Sequence, residues 1–262
     1  MSRQAVILPA VAPVHIQPAF TSEMISQALM WENVQILEKY KNWCQIYMED
    51  GYEGWIHTFF LYYREPLDEM FTFITDRAVS VFFDIDKPNS IAALLSYGTY
   101  VPMVEKTDDF INIYLPDGNT GYIGPQKQVV KTSRKVIIDL ATSLLAIPYL
   151  WGGKSSFGYD CSGFIQMVLK TAGIYIQRDT SLQIKTKNLE KIHMDEAEQG
   201  DLLFFLENNR TNHVAFLLGE GKIIHCSGLV KIESIIEGEP GFNKQLSQYE
   251  KIVMSITGLI LS

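Results

Sequence analysis

An internal repeat constrains the fold of the first half of the chain. Residues 34–56 align without a gap with residues 101–123, an offset of 67, and nine of the aligned positions are identical. Each copy has short alternating segments broken by an Asp-Gly pair, which is a strong signal for a β-hairpin. The repeat therefore predicts two copies of one small β-barrel, at about residues 1–65 and 66–130.

The two copies differ at two polar positions. The first copy carries Glu32 and Tyr52, where the second carries Thr99 and Asn119. Exposed loop residues on a rigid barrel are common binding positions, so Glu32 and Tyr52 are candidates for contact with a ligand. The alternatives are a solvated loop carboxylate for Glu32 and a barrel aromatic for Tyr52.

The second half of the chain contains a candidate nucleophile, Cys161. An amphipathic run over residues 164–172 directly follows it, and Gly173 is a suitable helix stop. Cys161 is thus expected near the first turn of a helix, where the dipole and free backbone N–H groups favour a thiolate. The alternative is a small, buried, unreactive cysteine.

Two histidines follow on a predicted β-hairpin. Apolar runs that contain His213 and His225 are joined by Gly219-Glu220-Gly221, which reads as a turn. A turn centred on Glu220 pairs Ala215 with His225, and both histidines then lie on the same face as diagonal neighbours. One imidazole could take the thiol proton while the other orients it. For each histidine alone, a structural role is the alternative.

Zinc is the competing use of cysteine and histidine. A zinc site needs about four ligands, usually in close-set pairs such as CxxC or HxxxH. The chain has neither pairing, and Cys226 points away from His225 if both lie on one strand. The sequence therefore predicts no metal site.

Five sequence blocks in order resemble the NlpC-type cell-wall cysteine peptidases, which are papain-like enzymes. The resemblance covers roughly residues 131–262. It implies that Cys161 is the nucleophile, that His213 is the base and that His225 orients it, with no cofactor. It also implies that the Tyr149 hydroxyl and the Cys161 backbone N–H hold the oxyanion. The blocks are Pro148–Gly153, Tyr159–Phe164, Gly200–Phe205, Asn212–Ala215 and His225.

The repeat resembles bacterial SH3-like domains, and the whole chain resembles γ-D-glutamyl-L-diamino acid endopeptidases that carry two of them. In that subgroup a Glu and a Tyr of the first barrel, with the Asp before the nucleophile, hold the free amine of an N-terminal L-alanine. The matching residues are Glu32, Tyr52 and Asp160. Charge-assisted hydrogen bonds of this kind are strong.

A further family block follows the nucleophile helix, in residues 178–183. The resemblance implies that Arg178, Asp179 and Ser181, together with Ser162, line the substrate side of the cleft. An arginine could grip a substrate carboxylate with two hydrogen bonds. The alternative is a local ion pair between Arg178 and Asp179 that fixes a loop.

Charge and cysteine usage exclude other classes. The net charge of −8 disfavours nucleic acid and anionic membranes as partners. Three widely spaced cysteines do not form a disulfide framework, and a reduced compartment suits a free thiol. No apolar stretch approaches the 18 residues of a membrane span, and the apolar run at the N-terminus is too short for a signal peptide. We expect a cytoplasmic protein, or a periplasmic or extracellular one if a leader was removed.

These observations predict an α+β protein in which two SH3-like β-barrels precede a papain-like domain of helices packed on an antiparallel sheet. The predicted domains are residues 1–65, 66–130 and 131–262. The expected activity is hydrolysis of the bond between γ-D-glutamate and the diamino acid of murein stem peptides (L-Ala-γ-D-Glu-diamino acid), for peptide recycling. The alternatives are a peptidoglycan amidase, an acyltransferase, an endopeptidase of intact wall, or a wall-binding protein without activity.

Overall fold

The computed structural model describes residues 4–64, 67, 69–87 and 89–260. The chain divides into two compact units, Met1–Gln128 with Trp151–Ser156, and Val129–Leu150 with Phe157–Ser262. Residues 151–156, which belong to the third predicted domain by sequence, thus pack with the first unit. The three domain boundaries stay predictions.

Seven antiparallel strands of the first unit form its first sheet, in the order β3-β2-β6-β5-β4-β1-β7. All seven contribute side chains to one apolar core, as expected for a small barrel. Cys44 is fully buried in this core. The strands are β1 (Gln4–Ile7), β2 (Val11–His15), β3 (Met24–Leu29), β4 (Asn33–Tyr40), β5 (Trp43–Met48), β6 (Glu53–His57) and β7 (Leu61–Tyr62).

Six further strands form the second sheet, in the order β10-β9-β13-β12-β11-β8. The offset of 67 residues relates β1–β6 to β8–β13 one by one, so the structural repeat is longer than the aligned segments. Gly54 and Gly121 are equivalent, and an added Cβ would collide with the Cγ1 of Val14 and of Val81 respectively. The strands are β8 (Phe71–Phe73), β9 (Ala78–Phe82), β10 (Ile91–Ser96), β11 (Tyr100–Lys106), β12 (Ile111–Tyr114) and β13 (Thr120–Ile123).

Trp31 joins the two sheets of the first unit. Its ring lies in the core of the second sheet, and its Nε1 donates a 2.8 Å hydrogen bond to the Tyr114 carbonyl. The Arg64 guanidinium lies 4.9 Å from the ring centroid. Trp31 has a left-handed φ of 69°, whereas the equivalent residue of the second copy is Gly98, with φ 76°. Since this conformation costs a non-glycine residue about 1–2 kcal/mol, packing of the indole must offset it.

The second unit is a sheet in the order β16-β21-β17-β18-β19-β20 with helices packed on it, so the predicted α+β class is confirmed. All its ladders are antiparallel. The strands are β16 (Glu190–Ile192), β17 (Leu202–Glu207), β18 (Arg210–Gly219), β19 (Lys222–Ser227), β20 (Leu229–Ser234) and β21 (Glu250–Ser255). Two short strands precede them in the chain, β14 (Lys154–Ser155) of the first unit and β15 (Gly158–Tyr159) of the second.

Helix α2 carries the candidate nucleophile and packs on β18 and β19. Ten of its eleven residues are buried, and Gly173 follows its end with φ 84°, as the sequence predicts. In the part of the chain that the structure describes, no helix has the length and hydropathy needed to cross a membrane. The helices are α1 (Arg134–Ser143), α2 (Cys161–Thr171), α3 (Thr180–Gln183), α4 (Lys244–Gln248) and α5 (Thr257–Ile260).

Candidate active site

Cys161 is the first residue of α2, directly after the N-cap residue Asp160. The Asp160 carboxylate accepts a 2.7 Å hydrogen bond from the Gly163 N–H, which is the usual role of an N-cap side chain. This bond fixes the first turn, so Cys161 has a defined position at the helix N-terminus. Cys161 is only 9% exposed.

The thiol of Cys161 is held in its neutral form. Burial raises its pKa to about 12, and the negative charge of Asp160 adds to the increase. Backbone hydrogen bonds from Val214 and Ser162 act in the opposite direction but are weaker. The expectation of a thiolate at Cys161 is therefore not met in the free protein, because burial raises the pKa of the thiol.

The predicted hairpin is present, with the predicted register. Phe216 lies opposite Ile224 and Leu217 opposite Ile223, and the turn lies around Glu220, with φ 50°. Continued by one residue, this register sets Ala215 opposite His225. The prediction that both histidines share a face is confirmed, since His213 Nε2 lies 2.7 Å from His225 Nδ1.

Both imidazoles are neutral at ordinary pH. Burial lowers the pKa of His213 to about 3, and the neighbouring His225 lowers it further, while Glu233 acts in the opposite direction. Burial also lowers the pKa of His225, although the Glu233 carboxylate partly offsets this. The backbone of Val214, next to His213, hydrogen-bonds the Cys161 sulfur, so the thiol lies beside the strand that carries the base. The resting site is thus a neutral thiol and a neutral imidazole.

Glu233 extends the array beyond the two histidines, and sequence reasoning missed it. Its Oε2 lies 2.9 Å from His225 Nε2 and accepts a 2.7 Å hydrogen bond from Asn243 Nδ2. The Lys231 ammonium lies 2.9 Å from its Oε1. A signal was present, because a turn at Gly228 makes a second hairpin in which His225 faces Lys231 and Glu233 is a diagonal neighbour.

Tyr149 remains a hydrogen-bond donor over the whole physiological pH range. Burial raises the pKa of its hydroxyl to about 12, and the negative charges of Asp160 and of Cys161 once it is ionised contribute. Its side chain is at the edge of exposure, at 36%, and its backbone N–H donates to the Gly228 carbonyl at 2.8 Å. A protonated phenol is the form that an oxyanion donor requires.

Arg178 is buried against the start of α2. Its Nη1 and Nη2 lie 3.0 and 2.6 Å from the two Asp160 oxygens, and Nη1 also donates to the Ser162 hydroxyl at 2.8 Å. The guanidinium is 1% exposed. The guanidinium thus pairs with Asp160, a partner that neither of the two alternatives for Arg178 named. A contact of Arg178 or Ser162 with substrate stays a prediction.

The loop after α2 is tied to the helix by Gln183, another residue that sequence reasoning did not assign to the site. Its buried Nε2 donates 2.9 Å hydrogen bonds to the carbonyls of Ser162 and Gln177. Asp179 is the N-cap residue of α3 and is partly buried, whereas Ser181 is exposed. Substrate contacts of Asp179 and Ser181 stay predictions.

Glu32 and Tyr52 lie in the first unit, around a buried lysine. The Glu32 carboxylate accepts the Leu29 N–H at 3.1 Å and a 3.2 Å hydrogen bond from the Lys154 ammonium. The Asp50 carboxylate lies 3.5 Å from the same ammonium and accepts the Tyr52 N–H at 3.2 Å. The alternative of a solvated Glu32 is therefore wrong, because this residue is 8% exposed and ion-paired.

The fold and the geometry define a papain-like thiol hydrolase, because a cysteine begins the central helix and a paired histidine lies on the sheet. Residues 146–249 match the NlpC/P60 family model, and residues 14–58 match the bacterial dipeptidyl-peptidase Sh3 domain. The chain thus has a cysteine peptidase domain of the NlpC/P60 family, preceded by a bacterial SH3 domain. The resemblance found in the sequence is confirmed.

Curated relatives cover most of the chain. A γ-D-glutamyl-L-lysine dipeptidyl-peptidase of Bacillus cereus is 26% identical over 246 residues, which are 84% of this chain and 73% of the relative. Dipeptidyl-peptidase 6 of Lysinibacillus sphaericus is 25% identical and is matched over 93% of this chain and 96% of its own length.

Solved structures show the same fold. The crystal structure of an NlpC/P60 family protein from Bacillus cereus has a TM-score of 0.83 at 21% identity, over 95% of this chain and 98% of its own. An NlpC/P60 endopeptidase from Photobacterium damselae has a TM-score of 0.70 at 14% identity, over 97% of this chain and 73% of its own.

The neutral resting site predicts how Cys161 reacts with iodoacetamide. A raised pKa means that the folded protein holds the thiol proton more tightly, so the thiolate fraction rises about tenfold per pH unit until the pH nears 12. We expect the alkylation rate of Cys161, followed by mass spectrometry, to rise with this slope between about pH 6 and 10.

The variant Cys161→Ala is the control, because it reports alkylation at Cys44 and Cys226. A rate plateau near pH 5–7 would show a preformed thiolate–imidazolium pair and contradict the assignment.

Proposed function

We propose that this protein is an endopeptidase that hydrolyses the γ-D-glutamyl–diamino acid bond of peptidoglycan stem peptides. The observation that carries the proposal is the hydrogen-bonded pair of His213 and His225 on the strands against which the Cys161 helix packs. The γ-D-glutamyl-L-lysine dipeptidyl-peptidase of Bacillus cereus, aligned over 84% of this chain, supports the choice of bond. The diamino acid would be meso-diaminopimelate or lysine.

The proposed reaction proceeds through a thioester. The Cys161 sulfur bonds to the γ-carbonyl carbon while the thiol proton passes to His213. The C–N bond then breaks, and His213 returns that proton to the leaving amine. Water attacks the thioester, with His213 taking its proton and returning it to the sulfur as the bond breaks. Since the resting groups are neutral, the proton moves when the substrate carbonyl is attacked.

Tyr149 and the Cys161 N–H are the proposed oxyanion donors. The start of α2 leaves the Cys161 N–H without an intrahelical partner, as at every helix N-terminus. Loss of one such donor typically lowers kcat by about 10²–10³-fold. The raised pKa of Tyr149 keeps the second donor protonated at any working pH.

We expect Tyr149→Phe to lower kcat by about 10²-fold, because the phenyl ring keeps the packing but donates no hydrogen bond. The measurement is kcat and KM on L-Ala-γ-D-Glu-diaminopimelate. Tyr175→Phe is the matched control, since Tyr175 is 70% exposed. A wild-type kcat in Tyr149→Phe would show that the Tyr149 hydroxyl is not an oxyanion donor.

We expect Cys161→Ala to abolish hydrolysis while the thermal unfolding midpoint stays within a few degrees of wild type, because the nucleophile is lost and one sulfur is removed. Cys44→Ala is the control, since Cys44 is a buried thiol of the first sheet. Hydrolysis by Cys161→Ala at the wild-type rate would contradict the mechanism.

Product analysis separates the alternatives. Mass spectrometry of the digested tripeptide should show L-Ala-D-Glu and the free diamino acid. Release of stem peptides from glycan would instead indicate an amidase, and a new amide product an acyltransferase. Binding to intact sacculi without any product would indicate a wall-binding protein.

The finer proposal is a preference for peptides with a free N-terminal L-alanine. Glu32 and Asp50 bring two carboxylates to the ammonium of Lys154. Carboxylates hydrogen-bond strongly to ammonium groups, and the amine of L-alanine would be a group of this kind. Tyr52 is anchored to the cluster through its N–H and Asp50. A role for Asp160 in amine binding, recycling of the peptides and a cytoplasmic location stay predictions.

Acetylation of the substrate amine should lower kcat/KM by about 10–100-fold, because a charged hydrogen bond contributes roughly 1.5–3 kcal/mol. Glu32→Gln should lower kcat/KM for the free peptide and leave that for the acetylated peptide unchanged. Glu38→Gln is the control, because Glu38 is an exposed carboxylate of the same barrel. Equal turnover of both peptides by the wild-type protein would contradict the amine site.

A further inference from the structure

Glu233 ends a line of hydrogen bonds that begins at the proposed base. We propose that Glu233 is a positioning residue, which fixes the tautomers of His225 and His213 so that His213 presents an unprotonated Nδ1 as the base. The inference rests on the proposed function for its catalytic consequence, but the tautomers themselves are a property of the free protein.

The first step concerns His225. Its Nε2 lies 2.9 Å from Glu233 Oε2. An ionised carboxylate can only accept hydrogen bonds, so the proton of this contact must belong to His225 Nε2. His225 is fully buried, and burial lowers its pKa, so the ring carries one proton only. His225 Nδ1 is therefore left as an acceptor.

The second step is that the tautomer of His225 determines the tautomer of His213. His213 Nε2 lies 2.7 Å from His225 Nδ1, so His213 Nε2 must be the donor. A neutral imidazole has one N–H, and His213 has a pKa lowered to about 3. Its remaining nitrogen, Nδ1, is then bare. Of the two ring nitrogens, only Nδ1 can accept the thiol proton.

The third step is that Glu233 stays ionised. Burial alone would raise the pKa of its carboxyl, but the hydrogen bonds from Lys231 and Asn243 and the contact with His225 together bring it below the ordinary value. Lys231 Nζ and Asn243 Nδ2 lie 2.9 and 2.7 Å from separate oxygens of the carboxylate. These donors reach Glu233 from β20 and from the N-cap position of α4.

The charge of Glu233 also matters once His213 takes the proton. An imidazolium at His213 would be separated from Glu233 by the neutral His225 ring. The Glu233 charge favours this imidazolium, whereas the Lys231 charge disfavours it. The other charged groups near the thiol are Asp160 and Arg178, which form an ion pair with each other. Glu233 is thus the carboxylate in line with the positive charge that forms during the reaction.

Two substitutions separate these effects. Glu233→Met removes both the acceptor and the charge at similar volume. Glu233→Gln keeps one oxygen and replaces the other with an amide group, so either Lys231 alone or both His225 and Asn243 lose their acceptor. Glu237→Gln is the matched control, because Glu237 is an exposed carboxylate in the following turn.

The first measurement is ¹⁵N NMR of histidine-labelled protein, which distinguishes protonated from bare ring nitrogens and needs no substrate. In wild type and in Glu237→Gln, His213 should be protonated at Nε2 and bare at Nδ1. In Glu233→Met and Glu233→Gln, the other tautomer should become populated. A bare Nε2 in wild-type His213, or unchanged tautomers in both variants, would overturn the proposal.

The second measurement is steady-state kinetics. We expect Glu233→Met to lower kcat by about 10–100-fold at unchanged KM, the range found for carboxylates that orient a metal-bound histidine. Glu233→Gln should fall between Glu233→Met and wild type. A lower unfolding midpoint with wild-type kcat and tautomers would show a purely structural role. If Glu233→Met does not fold, Glu233→Gln carries both measurements.

The two hypotheses can fail separately. A wild-type protein that cleaves no γ-D-glutamyl peptide but has the expected tautomers would contradict the proposed substrate and leave the positioning role supported. Cleavage of that peptide with unchanged tautomers in the Glu233 variants would support the proposed substrate and contradict the positioning role.

Discussion

The position of Cys161 in the second unit depends on the hydrogen bonds and the ion pair of the Asp160 carboxylate. One carboxylate caps α2 through the Gly163 N–H, binds the Ser162 hydroxyl and pairs with both terminal nitrogens of Arg178. It therefore fixes the helix start that presents Cys161 and the loop that continues into α3. A buried guanidinium is tolerated only with such a partner, so removal of either group would leave an uncompensated charge. Its charge also helps to keep the thiol protonated.

Burial is the largest influence on the pKa values of Cys161, His213 and His225. Burial of Cys161 and of both histidines, complete for His225 and partial for His213, disfavours the charged form of each side chain. The ionised groups are instead arranged around them in pairs, Asp160 with Arg178 and Glu233 with Lys231. The Cys161 thiol and the His213 imidazole are both neutral at rest, so the site does not have to keep an isolated buried ion before the proton moves.

The sequence predicts the parts of this site that depend on local pattern. The hairpin register follows from one turn and the period of two along a strand, which is why the contact of His213 with His225 is predictable. The helix at Cys161 follows from its amphipathic run and its glycine stop. The barrel copies follow from the 67-residue offset and an Asp-Gly turn in each.

Contacts made by tertiary packing were beyond these rules. Lys154 neutralises Glu32 from more than a hundred residues away along the chain, and no local pattern pairs them. Glu233 is predictable from local pattern, because the turn at Gly228 sets Lys231 opposite His225 and Glu233 two residues further along the same face. The pKa of Cys161 could not be predicted because it depends on how much water the folded unit excludes. Local charge and helix position are only part of that balance.

The conformation of Trp31 has a consequence for how the duplicated barrels can be used. The indole that occupies the second sheet's core belongs to the first copy, and the second copy has Gly98 in its place. The two copies are therefore not interchangeable, although an offset of 67 residues relates their strands one by one. An ancestor with two identical copies would have lacked this asymmetry. Deletion of one barrel would leave a cavity in the second sheet or an exposed Trp31 side chain, so each barrel depends on the other for part of its apolar packing.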